Sequence, residues 1–431
     1  MQKNSLIRRT ANLAAANAVV RCLGFLQRIW VARLLGPEGL GLYQMLMPTL
    51  SSLTTLVVSG LPVAASRLMA ARRGANRPAD GIFRAAMRLA VYLSTTLCVL
   101  ACLAAIPFTA MAYNQSGLSI AVFIFAPALI FQAVGAIESA WCYAHGDTQT
   151  PALALLVEQV SRLVFIAILV YLWLPQTPTL RVALVVACLS LAEALALGFE
   201  QYRVRRRHPR TRMPAKNETA PLVKNALPPT AGRFAASLLQ ALLCTLVPRI
   251  LMYKGTDSGV ALAALGTLTG IVTPMLMLPM IISSAMGTVL IPELARLQAQ
   301  KRSTEIRRLC KKSMLISIST ATAAGLMLFA LAQPACALFG RTDAVGLLRM
   351  CVPLLLPMVI HHNLNALLQG LGSQTPALRA VLVGDSLQIV TALALTGVLA
   401  LPMGGMLVGI AVGEVVSGVL QWRILRQLLR T

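Results

Sequence analysis

Read for apolar runs of about 20 residues, the length an α-helix needs to cross a bilayer at 1.5 Å per residue, the chain divides into segments at 10–34, 41–66, 85–111, 117–142, 152–174, 180–202, 234–253, 261–291, 313–339, 345–369, 377–400 and 404–425. The interruptions between them are turn chemistry or charge: LGPEG, ARRGANRPADG, YNQSG, HGDTQTP, KGTDSG, LPMGG. This pattern predicts an all-α integral membrane protein with twelve transmembrane helices, short loops and no separate soluble domain.

Composition agrees. The 431 residues are 57% hydrophobic and 12% charged, against roughly 45–50% and about 25% for soluble domains. Net charge sharpens the topology. At +24 it suggests nucleic acid until its placement is considered: most of the 38 basic residues lie at the two termini or around even-numbered loops, as in Arg72, Arg73, Arg205, Arg206, Arg207, Arg307 and Arg308. That is the positive-inside pattern. It predicts a multi-pass protein of the cell membrane with both termini cytoplasmic, its basic loops near anionic lipid headgroups. No aromatic residues interleave the runs as a nucleic-acid-stacking surface would require. The nine cysteines are scattered through apolar runs and read as small hydrophobes rather than disulfides or metal ligands.

One pentapeptide occurs twice. QTPAL stands at residues 149–153 and again at 374–378, each time after an even-numbered span, the fourth and the tenth. Six crossings separate the copies, so both lie on one side of the membrane and the two halves run parallel. A looser echo, RIWVARLLG after the middle of the first span and RILMYKG after that of the seventh, places Arg28 and Arg249 at matching positions. The expected organisation is an N-terminal six-helix bundle at 1–204, a basic cytoplasmic linker at 205–232 and a C-terminal six-helix bundle at 233–431. Duplicated bundles of this kind are a transporter plan, with cargo held between the halves and access alternating.

Charges inside spans are expensive, about 2.5–3.5 kcal/mol for a central Arg on insertion scales. Arg21 and Arg28 sit seven apart in the first span and therefore on one face; Arg249 is their counterpart in the seventh. Either they pair with intramembrane acids, of which Glu138, Glu158, Glu193, Glu200, Asp385 and Glu414 are available, or they face a wet cavity and bind cargo. Three guanidinium groups suit phosphate or pyrophosphate oxygens. Glu158 and Arg162, at i and i+4, are expected to pair with each other. Glu138, Glu158, Asp385 and Glu414 are candidates for carrying a coupling ion. His361 and His362 are adjacent, point to different faces and read as polar packing residues, not a metal pair. Nothing matches G-x-x-x-x-G-K-[ST], so the chain is expected to be neither an ATPase nor any other enzyme, and to need no cofactor; uphill movement would draw on an ion or cargo gradient.

The stretch RCLGFLQRIWVARLLGPEGLGLYQMLMP at 21–48, with its arginine pair, ARLLGPEG and GLYQ, resembles the polysaccharide-exporter and stage V sporulation protein B branch of the multidrug/oligosaccharidyl-lipid/polysaccharide (MOP) exporter superfamily. GLGSQTPAL and the run GTLTGIVTPMLMLPMIISSAMGTVLIPELA are similar to that branch too. The resemblance implies a MATE-like fold and, as cargo, a polyprenyl-pyrophosphate-linked saccharide moved from the inner to the outer leaflet. It also implies that Arg21, Arg28 and, by repeat position, Arg249 contact that lipid-linked oligosaccharide. Two alternatives stand beside it: a multidrug or organic-cation antiporter with an acidic cavity, and an envelope or sporulation scaffold acting through its basic loops.

Overall fold

The computed structural model describes residues 2–75, 77–172, 177–208, 219–399 and 404–429. The described chain is helical: α1 (Gln2–Val58), α2 (Gly60–Gly74), α3 (Asp80–Tyr113), α4 (Ser119–Ala144), α5 (Gln149–Leu172), α6 (Pro178–Arg207), α7 (Thr219–Tyr253), α8 (Ser258–Leu265), α9 (Thr273–Met277), α10 (Met280–Ala299), α11 (Ser303–Ala330), α12 (Ala332–Leu338), α13 (Val345–Cys351), α14 (Leu355–Gly370), α15 (Gln374–Leu399) and α16 (Gly404–Leu428). Among the described residues, eleven stretches are long and apolar enough to cross a membrane. One of them, Val19–Gly74, has 56 residues. At 1.5 Å each it is about 84 Å long, more than twice the roughly 30 Å hydrocarbon core. It is interrupted at Gly36, whose φ of 68° is left-handed, so it supplies two crossings and the count reaches the expected twelve.

Two elements differ from the hydropathy pattern. The eighth span is composite: α8 passes through a π-helical stretch at Gly266–Val272 into α9, then breaks before Pro279 and α10. Thr267 and Thr269 donate to the carbonyls of Ala263 and Leu265, and Thr273 to that of Leu268, a pattern in which hydroxyls take up carbonyls where the ladder widens. The stretch 205–232 carries helix at both ends, since α6 runs to Arg207 and α7 begins at Thr219; the middle of that expected linker, 209–218, lies outside the described residues. Helix persists there despite Pro228 and Pro229 because it is packed: a Cβ on Gly60 would fall 2.1 Å from Thr230 Oγ1 and 2.2 Å from the Ala226 carbonyl.

The chain clusters into two compact units, one comprising residues up to Leu35 and Met45–Ala241, the other Gly36–Gln44 and the residues from Leu242 onward. In the first, α2, α3 and α4 pack around Met69, Phe83, Ile137 and Trp141. In the second, α10, α14 and α11 meet at Leu294, Leu364, Leu367 and Leu368. There Gly41 and Gly266 let the 36–44 segment lie directly against α8, a Cβ on Gly41 falling 2.1 Å from the Leu262 carbonyl.

The repeated pentapeptide opens a helix both times. α4 ends through left-handed Gly146 (φ 72°), with the Asp147 N–H donating to the Cys142 carbonyl at 2.9 Å; α14 ends through Gly372 (φ 70°), with the Ser373 N–H donating to the Leu368 carbonyl at 2.9 Å. This is the Schellman closure, which needs φ > 0 and so a glycine. QTPAL follows each, with Gln at the first helical position of α5 and of α15. In the first copy Asp147 caps the new helix, accepting from the Gln149 and Thr150 N–H groups at 3.0 and 3.1 Å.

Candidate transport site

In the first unit, α1 presents both Arg21 and Arg28 as exposed side chains, seven residues apart on one face as their spacing requires. Arg249, on the part of α7 belonging to the second unit, is exposed as well. Among the described residues Arg28 and Arg249 make no ion pair. The intramembrane acids are instead engaged elsewhere.

Glu158 and Arg162 pair across one turn of α5 at 2.5 Å, as expected, and Glu193 from α6 joins them, its Oε1 2.8 Å from the same guanidinium nitrogen. About two turns along α6, Glu200 accepts a hydrogen bond from Ser139 of α4 at 2.6 Å. Glu158, Glu193, Glu200 and Ser139 line a cavity of about 250 Å³ together with Phe131, Gln132 and Leu155. Three carboxyl groups at its wall, two of them sharing the one Arg162 guanidinium, leave an excess of acid there. Glu138 is buried on α4 next to Ser139. Sequence reasoning named Glu193 and Glu200 only as acids available to pair with an arginine. Their i, i+7 spacing, which puts both on one face of α6, was the signal that they share a cavity.

The second unit holds a different arrangement. His361 on α14 donates from Nδ1 to Glu414 Oε2 on α16 at 2.7 Å, the carboxylate being acceptor only. Asp385 on α15 follows Gly384, which packs against the Gly413 carbonyl just before Glu414. The structure therefore brings Asp385 and Glu414 together, and gives His361 a partner on another helix where the sequence suggested only polar packing. Glu138 and Glu158 lie in the first unit, apart from that pair in the chain's division.

At one end of the first unit the loop after α4 is tied down. Arg73 donates to the Ala144 carbonyl at 2.8 Å; Trp141, His145 and His208 stack in succession with centroids 4.2 and 4.8 Å apart; and His208 and Arg207 approach Asp147 at 3.2 and 3.7 Å. Burial works against ionisation of Asp147, but hydrogen bonds from the Thr150 side chain and backbone, from His208 and from the Gln149 N–H outweigh it and hold the carboxyl at about 2. Burial pushes His145 below its ordinary value, helped by the nearby Arg73 and His208 charges.

Comparison with known proteins places this arrangement. The solved structure of an inward-facing multidrug resistance MATE family transporter of the MOP superfamily superposes on the chain with a TM-score of 0.78 at 16% identity, covering 96% of this chain and 98% of that one. Among curated proteins the chain is 25% identical to Stage V sporulation protein B of Bacillus subtilis over 397 residues, 89% of this chain and 76% of that protein. It is 22% identical to Sporulation protein YkvU of the same organism over 378 residues, 86% and 83% of the two. The family model for MatE matches residues 234–394. The fold is that of a multi-pass membrane transporter of the MOP superfamily, not of an enzyme. Within that class the chain belongs to the polysaccharide biosynthesis protein family, whose model matches residues 6–298.

Proposed function

We propose that the chain is a flippase, carrying a polyprenyl-pyrophosphate-linked saccharide of the cell-wall or polysaccharide-precursor kind from the inner to the outer leaflet of the cell membrane by alternating access. Arg21, Arg28 and Arg249 grip the pyrophosphate. The two bundles are 1–204 and 233–431, the 205–232 linker and both termini are cytoplasmic, and Glu138, Glu158, Asp385 and Glu414 are the candidates for a coupling ion. The observation that carries this reading is the exposure of Arg28 and Arg249 with no ion-pair partner among the described residues, while Glu158, Glu193 and Glu414 are matched to other groups. A guanidinium kept in an apolar span without an acid beside it is a default functional site. The family and the sporulation proteins similar to the chain support a cell-envelope cargo.

The test is the double substitution R28A/R249A in cells depleted of their own lipid-precursor flippase. Losing two charge-assisted contacts at about 1.5 kcal/mol or more each lowers precursor export by on the order of 100-fold, with protein level in the membrane unchanged. Full export by the double variant removes the arginines from the site.

The acid-lined cavity of the first unit supports a second reading, an organic-cation antiporter. It predicts that ethidium efflux from vesicles depends on Glu158 and Glu200 and is indifferent to R28A/R249A.

A further inference from the structure

Three titratable side chains meet inside the second unit from three helices: His361 of α14, Asp385 of α15 and Glu414 of α16, all half-buried. The hydrogen bond from His361 to Glu414 is 2.7 Å, and Asp385 stands next to Gly384, where α15 meets Gly413, the residue before Glu414. The backbone fixes the two acids at one depth. α15 and α16 touch along a seam of small residues: a Cβ on Gly384 would fall 1.9 Å from Ser417 Oγ and 2.6 Å from the Gly413 carbonyl, and one on Gly413 would fall 2.8 Å from Gln388 Cβ. Asp385 follows one of these glycines and Glu414 the other, so neither acid can slide past its neighbour without separating the helices.

A second observation points the same way. Gln421 lies seven residues beyond Glu414 and so on the same face of α16, about 10 Å along. It is fully buried, and neither its amide nitrogen nor its amide oxygen has a hydrogen-bond partner among the described residues. A buried amide in that state calls for a polar partner, so the polar face of α16 extends from Glu414 to Gln421.

The other charges on the packed helices stand clear of the cluster. Ser313 of α11 meets Asn363 and Gly325 meets Val352 and Leu355, so α11 runs antiparallel to α14. Lys312 and Lys311 then come level with residues 364 and 365, about one turn from His361, and both are exposed. On α10, Gly287 is level with Ala366 and Leu294 with Gly370, which puts Glu293 and Arg296 about two turns or more from His361. Arg379 is exposed and six residues before Asp385; Arg423 is nine after Glu414; His362 points to a different face of α14 from His361.

We infer that His361, Asp385 and Glu414 form a proton-binding site, and that H⁺ rather than Na⁺ is the ion this unit exchanges. The inference rests on the transport reading above and names its coupling ion. With the imidazole protonated and both carboxylates ionised the cluster carries one net negative charge. A proton taken from water onto an Asp385 carboxylate oxygen makes it neutral, the state favoured in a low-dielectric span, and release of that proton on the other side restores the charge. Sodium suits this set poorly: a hard cation takes a shell of oxygens, and here an imidazole N–H already occupies a Glu414 oxygen.

The experiment is a pH titration of the full chain in lipid vesicles, followed by infrared difference spectroscopy of the carboxylic-acid C=O band. The expected result is a band that grows on acidification, is lost in D385N, returns in D385E, shifts its midpoint in H361Q and ignores replacement of K⁺ by Na⁺. Circular dichroism of each variant separates loss of the band from loss of the fold. A band indifferent to both D385N and H361Q, or one displaced by Na⁺ at constant pH, overturns the inference. Because no cargo is needed, the two readings fail separately. A titrating band in a protein that flips no lipid keeps the proton site and removes the flippase; lipid flipping with no D385N-sensitive band does the reverse.

Discussion

Each unit buries acids in its spans, and each neutralises them differently. In the first, Glu158 and Glu193 converge on one guanidinium, a cation that does not deprotonate in proteins. In the second, Glu414 is matched by an imidazole, a cation only when it holds a proton. The first cluster therefore keeps its cation at any working pH and serves to hold α5 to α6. In the second the cation itself depends on a proton. Burial of an acid does not by itself mark a place where ions are exchanged; the partner decides.

The largest effect expected from this contrast is that of R162Q. It leaves two carboxylates together without a cation, and breaking a buried ion cluster in this way costs about 3–5 kcal/mol, read as a fall in the thermal unfolding midpoint in detergent and as loss of protein from the membrane. G384V comes next, because a branched side chain there collides with Ser417 and the Gly413 backbone; overpacking of this kind costs about 1–3 kcal/mol and carries Asp385 away from Glu414. H361Q keeps an N–H donor for Glu414 and costs less than about 1 kcal/mol. If H361Q proves as destabilising as R162Q, the imidazole is a structural cation too and the distinction between the units fails.

The smallest effect compares the two copies of QTPAL. D147A removes a cap and costs about 1 kcal/mol. The Asp147 carboxyl is held at about 2, below its ordinary 3.8; a carboxyl depressed by folding stabilises the fold above its unfolded value and ceases to do so as pH falls through its folded one. The gap in melting temperature between the parent and D147A should accordingly be full above pH about 4 and close between about 4 and 2. S373A, at the corresponding turn, should show no such pH window, since a hydroxyl does not titrate there.

The transmembrane plan was legible in the sequence because bilayer thickness imposes a length on every apolar run, and the repeat because a Schellman glycine followed by QTPAL is a local device needing no distant contact. The Gly36 break was legible too, as the LGPEG interruption between the first two spans. What could not be read was tertiary. The helicity of 219–232 depends on Gly60 admitting Thr230 at close range, against a local sequence with Pro228 and Pro229 that reads as linker. Of the acids, the i, i+4 pair Glu158–Arg162 was foreseeable, whereas Glu193 with Arg162 and Glu414 with His361 join residues 31 and 53 positions apart, distances over which spacing carries no information.

The division of the chain also sets a schedule for its synthesis. Leu40 and Leu42 are buried within a unit whose remaining residues begin at Leu242. At roughly 5–20 residues per second, the ribosome needs on the order of 10–40 s to travel from that segment to α8. For that interval the nascent protein holds a finished hydrophobic docking strip with nothing to dock on, so the insertion machinery, or lipid, must keep it from premature association until the later half arrives.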